Sequence, residues 1–127
     1  MATVLIVDDS KLARIVLKKA IGALKPEWEP HEAANGDEAL SALRRAHFDV
    51  VIVDYNMPGL DGLALAEEVR SFEAKVPIAL VTANVQHDVI ARARALNVAF
   101  VPKPITEDAL RGFVSGAELA MRRQNPA

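Results

Sequence analysis

The stretch DVVIVDYNMPGLDG, residues 49–62, decides how the rest of the chain is read. Four β-branched residues, Val50 to Val53, run straight into a carboxylate, Asp54, and then into a Met-Pro-Gly turn. A short, unalternating apolar run predicts a strand buried on both faces, as in a parallel sheet covered by helices. A carboxylate at the end of such a strand borders the apolar interior, where an uncompensated charge is costly. The surrounding sequence should therefore supply the compensation.

Similar runs recur at 3–7 (TVLIV), 78–81 (IALV) and 98–101 (VAFV). Residues 28–33 (WEPHEA) read as a further strand, which Pro30 confines to a sheet edge because proline has no N–H for the ladder. Between these runs the apolar period becomes helical. Leu12, Val16, Ala20 and Leu24 form one stripe, with Lys11, Arg14 and Lys18 on the other side; Leu40, Leu43 and Ala46 form a second; Leu65, Val69 and Phe72 a third. Val85, Val89, Ala93 and Leu96 form a fourth, and Leu110, Phe113, Val114, Ala117 and Met121 a fifth. Asp37 opens the second helix, and Thr106 with Glu107 and Asp108 opens the fifth. Strand and helix thus alternate five times, which predicts an α/β fold: a doubly wound, five-stranded parallel sheet with five helices. One domain over residues 1–123 is expected, with a short tail at 124–127, and the last residues, RRQNPA from Arg122, look frayed.

Composition narrows the classes. The chain has 127 residues, 51% hydrophobic and 25% charged, which suits one soluble domain with one core and not a disordered chain. A formal net charge of -2 argues against general nucleic-acid binding, which needs a basic footprint. No stretch is long and apolar enough to span a bilayer, and MATVLIVDDSK lacks the basic lead of a signal peptide, so a cytoplasmic location is expected. With no cysteine, thiolate metal sites and disulfides are excluded.

Ligands of open parallel sheets bind beyond the carboxyl ends of the strands. There the sequence places Asp8 and Asp9 after the first run, Asp54 after the third, Thr82 after the fourth and Lys103 after the fifth. Singly, each has a structural reading: an Asp-Asp cap, a turn-opening Asp54, a Thr82 cap for a fourth helix beginning near Asn84, a solvated lysine. Their joint placement on four strand ends is what those readings leave unexplained. Carboxylates crowded together repel, and a hard divalent cation resolves the repulsion; Mg²⁺ takes oxygen ligands, few carboxylates and a phosphate oxygen. Asp9 and Asp54 are candidate ligands, with a backbone carbonyl just past Asp54 as a third. Cation, ammonium and hydroxyl would together clamp a transferring phosphoryl group, with the central Asp54 as nucleophile.

VDDS at 7–10, DYNMPGLDG at 54–62, VTA at 81–83 and VPKP at 101–104 resemble the receiver domain of two-component response regulators over essentially the whole chain, the single-domain chemotaxis regulators most closely. The resemblance, and not the pattern, implies a flavodoxin-like strand order of 2-1-3-4-5. It implies that Asp54 is phosphorylated; that Asp8, Asp9, Asp54 and the carbonyl of Asn56 bind Mg²⁺; that Thr82 and Lys103 contact the phosphoryl group and Ala83 leaves room beside it; that Phe100 is an aromatic switch residue; and that Lys103-Pro104 is cis. It further implies a His-Asp phosphorelay with a sensor histidine kinase or a histidine phosphotransfer protein as donor. A downstream protein target would read the surface of helix 4, strand 5 and helix 5. The protein would be a self-modifying substrate, not a turnover enzyme. A monomer is expected, phosphorylation-dependent dimerisation being the alternative.

Two rival classes fit less well. Phosphohydrolases with an aspartate nucleophile place an acid-base aspartate two residues later, where this chain has Asn56. A flavin carrier needs hydroxyls and amides after the first strand, where Asp8 and Asp9 would repel the flavin phosphate. On the surface, Arg92 and Arg94 read either as a solvated helix face or as a docking face for an acidic or small partner, and Gly112 and Gly116 either permit close approach of a partner or are neutral.

Overall fold

Each apolar run forms a strand in the computed structural model, which describes residues 2–83 and 86–124. The strands are β1 (Thr3–Val7), β2 (Glu29–Ala33), β3 (Val50–Asp54), β4 (Ile78–Thr82) and β5 (Ala99–Pro102). They alternate with helices α1 (Lys11–Leu24), α2 (Gly36–Arg45), α3 (Gly62–Phe72), α4 (His87–Ala95) and α5 (Glu107–Gln124). All pairings are parallel, and the strand order is β2-β1-β3-β4-β5, as the resemblance implies.

Alternation along the buried strands feeds two cores. Val4, Ile6, Val50, Ile52, Ala79, Val81 and Val101 face α1 and α5, where Leu17, Ile21, Leu110 and Val114 meet them. Leu5, Val7, Val51, Val53, Ile78 and Leu80 face α2, α3 and α4 through Ala39, Leu63, Leu65, Val69, Val89 and Ala93. Because β1, β3 and β4 are covered on both sides, they show no polar alternation. Strand β2 is exposed along Glu29–Glu32 and lies at the edge, where Pro30 costs no internal ladder bond.

Several helical details differ from the sequence reading. In α1 the buried residues are Leu17, Ala20 and Ile21, whereas Leu12 is 71% exposed and Val16 41%. A strict four-residue step drifts by about 40° per step on a helix of 3.6 residues per turn, so the Leu12–Leu24 line winds off the core face. Phe72 is also exposed, its ring lying 5.3 Å beneath the Arg44 guanidinium. Asn35, not Asp37, caps α2, accepting from Glu38 N at 2.8 Å, while Glu38 accepts from Ala34 N at 3.0 Å. Asp37 stands in the first turn, where its charge suits the helix dipole. Gln86 precedes α4, and the expected roles of Asn84 and Val85 fall outside the described residues.

Helix α5 begins as expected, Thr106 Oγ1 accepting from Ala109 N at 3.0 Å. It continues through Arg122 and Arg123 to Gln124, residues the sequence reading had as fraying. Away from the strand ends that carry the carboxylates, Arg70 ties two loops together. Its guanidinium donates to the carbonyls of Leu96 (2.7 Å), Val76 (2.7 Å) and Asn97 (3.0 Å), Asn97 being the left-handed residue that ends α4.

Candidate functional site

The carboxyl ends of β1, β3, β4 and β5 converge, because neighbouring parallel strands finish at one side of the sheet. Asp8 follows β1 directly and extends its ladder by one bond, its N–H donating to Ala33 O at 3.1 Å. Its carboxylate is buried, with Oδ1 accepting from Ser10 N at 2.9 Å. Ser10 in turn caps α1, accepting from Ala13 N. Asp9 is exposed, while Asp54, the last residue of β3, is buried. One carboxylate oxygen from each of Asp8, Asp9 and Asp54 lies within 4.8 Å of the others, an arrangement able to hold a metal ion.

Thr82 ends β4 fully buried, so it belongs to the strand and does not cap α4. Its carbonyl accepts from Lys103 N at 3.1 Å, which brings the loop after β5 to the cluster. Lys103 Nζ then stands 2.8 Å from Asp54 Oδ1. That pair is close enough for charge attraction but not aligned as a hydrogen bond, so buried Oδ1 has no hydrogen-bond partner among the described residues. The Lys103-Pro104 peptide is cis. Ala83 is exposed in the bend after Thr82, and Asn56 is exposed in the loop after β3. That loop, Tyr55 to Pro58 with Asp61, lines an open cleft of about 370 Å³. Phe100 lies on β5 opposite Leu80, half-buried.

The charges do not balance within the cluster: three carboxylates face one ammonium. Burial pushes the Asp8 carboxyl above its ordinary 3.8, against the pull of the Ser10 N–H; the Asp54 carboxylate adds to the rise and Lys103 opposes it. A divalent cation would restore neutrality and give Asp54 Oδ1 a second partner beside Lys103, and the all-oxygen donor set suits Mg²⁺. The residues present fit that ion.

Two features set the site's geometry from outside it. Gly62 opens α3 against the end of β3: a Cβ there would lie 2.5 Å from Asp54 O and 2.9 Å from Tyr55 Cα, so no larger residue fits. Its N–H donates to Tyr55 O at 3.0 Å. Arg14, which the sequence reading left on the outer face of α1, is instead partly buried. It donates Nη1 to Asp8 O at 2.7 Å and Nε to Glu32 Oε1 at 2.9 Å. No local spacing signals that contact, since residues 14 and 32 meet only when β2 pairs with β1. Elsewhere, Arg92 is engaged by Glu67 at 3.2 Å. Arg94, Gly112 and Gly116 line a second cleft, beside the starting residues of β4 and β5.

Residues 4–115 match the response regulator receiver domain. The chain belongs to that family. This receiver domain is 35% identical to the chemotaxis protein CheY of Pseudomonas aeruginosa over 111 residues, covering 85% of this chain and 89% of the relative. It is 34% identical to the sensor protein EvgS of Escherichia coli O157:H7, covering 89% of this chain but only 9% of that much longer protein. Among solved structures it resembles the response regulator protein TrrA of Thermotoga maritima in complex with Mg²⁺ and BeF. That likeness has a TM-score of 0.80 at 32% identity, covering 92% of this chain and 99% of the other. The chemotaxis protein CheY4 of Vibrio cholerae gives a TM-score of 0.82 at 30% identity, covering 92% and 98%.

Receiver domains are signalling switches of two-component systems, typically bind Mg²⁺, and interact with sensor histidine kinases and downstream targets. Among the described residues no helix is long and apolar enough to cross a membrane.

Proposed function

We propose that this receiver domain accepts a phosphoryl group on Asp54 from a phosphohistidine of a partner kinase or phosphotransfer protein. The observation that carries the reading is Asp54 itself: a carboxylate buried at the end of β3, with an Oδ1 that no hydrogen bond satisfies, facing Lys103 and two further carboxylates. Asp54 attacks phosphorus in line, the P–N bond to the donor histidine breaks, and its electron pair returns to the imidazole. Lys103 pairs with the phosphoryl oxygens, Thr82 donates to one of them, and Ala83 leaves them room. Asp8, Asp9, Asp54 and the Asn56 carbonyl would hold Mg²⁺, which offsets the charge of the carboxylates and of the incoming oxygens. Positioning and charge neutralisation supply most of the catalysis in such transfers. Water later hydrolyses the acyl phosphate and resets the domain.

The modified residue carries new charge and acceptor oxygens, and shifts an equilibrium only through contacts that differ between two states. Thr82 turning toward the phosphoryl group vacates space that the half-buried Phe100 enters, so α4, β5 and α5 change their surface for a downstream protein.

The test is intact-mass spectrometry after incubation with acetyl phosphate and Mg²⁺. One added phosphoryl group is expected in the native protein, and none without Mg²⁺ or in Asp54→Asn. Uptake by Asp54→Asn would place the acceptor elsewhere.

A further inference from the structure

The β1–α1 loop, which carries Asp8 and Asp9, is held by more than its own turn. Arg14, one turn into α1, sends Nη1 to the Asp8 carbonyl at 2.7 Å and Nε to Glu32 Oε1 at 2.9 Å on edge strand β2. Glu32 Oε2 is met in turn by Lys18 Nζ at 3.0 Å. These bonds from Lys18 and Arg14 hold the Glu32 carboxyl below its ordinary 4.5. The Arg14 side chain is only 15% exposed, so its planar fork is fixed between two acceptors and is not waving in solvent.

The carbonyl it grips belongs to the peptide that joins Asp8 to Asp9. Fixing that peptide fixes the direction in which the Asp9 side chain leaves the backbone. It also helps keep Asp8 in the turn where its carboxylate accepts from Ser10 N at 2.9 Å. We propose that Arg14, braced by Glu32, is a positioning pair for the divalent-cation site, orienting Asp8 and Asp9 through their shared peptide. The inference rests on the reading of the acidic cluster as a Mg²⁺ site. Arg14 touches neither the ion nor the phosphoryl group in this scheme; it acts through the backbone of a ligand. Partners that orient metal ligands in this way commonly govern affinity by roughly an order of magnitude or more.

The sign of the effect separates positioning from simple electrostatics. Arg14 is a cation near three carboxylates, so deleting its charge alone should strengthen Mg²⁺ binding. Loss of the brace should weaken it. Lys18 is the matched control: it removes the same charge and touches Glu32, but makes no contact with Asp8.

The experiment is calorimetric titration of Mg²⁺ into the native protein, Arg14→Ala, Arg14→Lys, Glu32→Gln and Lys18→Ala. Thermal melts in metal-free buffer establish that each variant is folded. Expected are measurable binding by the native protein, a roughly tenfold loss of affinity in Arg14→Ala, a smaller loss in Glu32→Gln, and no loss in Lys18→Ala. Amide NMR shifts that reach Asp8, Asp9 and Ser10, beyond those around residue 32 and its partners, in metal-free Glu32→Gln would accompany the loss. Should Arg14→Ala not fold, Arg14→Lys decides, since it keeps the charge but loses the planar fork that spans Asp8 O and Glu32 Oε1. Native binding with unchanged or tighter affinity in Arg14→Ala, or in Arg14→Lys where the alanine variant does not fold, overturns the positioning role alone. Absence of Mg²⁺ binding by the native protein overturns the metal-site reading and this inference with it.

Discussion

At Gly62 a single hydrogen in place of a side chain decides how close α3 comes to the end of β3. A methyl group there would meet Asp54 O at 2.5 Å, a backbone atom that cannot rotate away. Gly62→Ala is therefore expected to cost about 1–3 kcal/mol, the range of overpacked core positions, measured by urea denaturation. Asp8 makes the complementary point. Its folded carboxyl titrates above its ordinary 3.8, so over that interval the native state binds more protons than the unfolded chain. Metal-free stability should then fall as pH rises from about the ordinary carboxylate value through the folded one, the sign set by linkage. Asp8→Asn should flatten that fall in a series of melts across pH and raise the neutral-pH melting temperature without metal. It should also lose much of the stabilisation that Mg²⁺ gives the native protein.

Among the elements, α1 shows what a helix owes to its face and what to its pattern. Leu17 is buried at 1% exposure, whereas Leu12 is 71% exposed. Leu17→Ala is expected to destabilise by about 2–5 kcal/mol, and Leu12→Ala to stay within about 0.5 kcal/mol, both read from chemical denaturation. The reverse ranking would mean that the four-residue stripe, and not the observed face, packs on the sheet. The strands were easier to read, because β1, β3 and β4 are covered on both faces and every residue in them obeys one rule. Helix starts are legible where a hydroxyl stands next to acids, as at Thr106, and less so at Asn35, which lies two residues before the acid Asp37 that the pattern favours.

For the molecule as a whole, the proposed switch is where site and surface would communicate. Thr82 and Lys103 are linked through the Thr82 carbonyl, and Phe100 stands three residues before Lys103 on the edge strand that α4 and α5 flank. With acetyl phosphate and Mg²⁺, Thr82→Ala should still gain mass. Phosphorylation of the native protein is expected to shift amides along β5 and in α4 and α5, and those shifts should be lost in the variant. Shifts in the variant equal to the native ones would remove Thr82 from the switch.

The sequence by itself determined the alternation of strand and helix, the edge position of β2 through Pro30, and the set of chemically capable residues at the strand ends. Each of these depends on neighbours along the chain: a β-branched run, a missing N–H, an acid following apolar residues. Only the tertiary structure decided which helix faces turn inward, that Asp54 Oδ1 has no hydrogen bond among the described residues, and that Arg14 reaches Asp8 and Glu32. Those depend on distances between residues far apart in the chain, set when the sheet closes its register, and no local period encodes them.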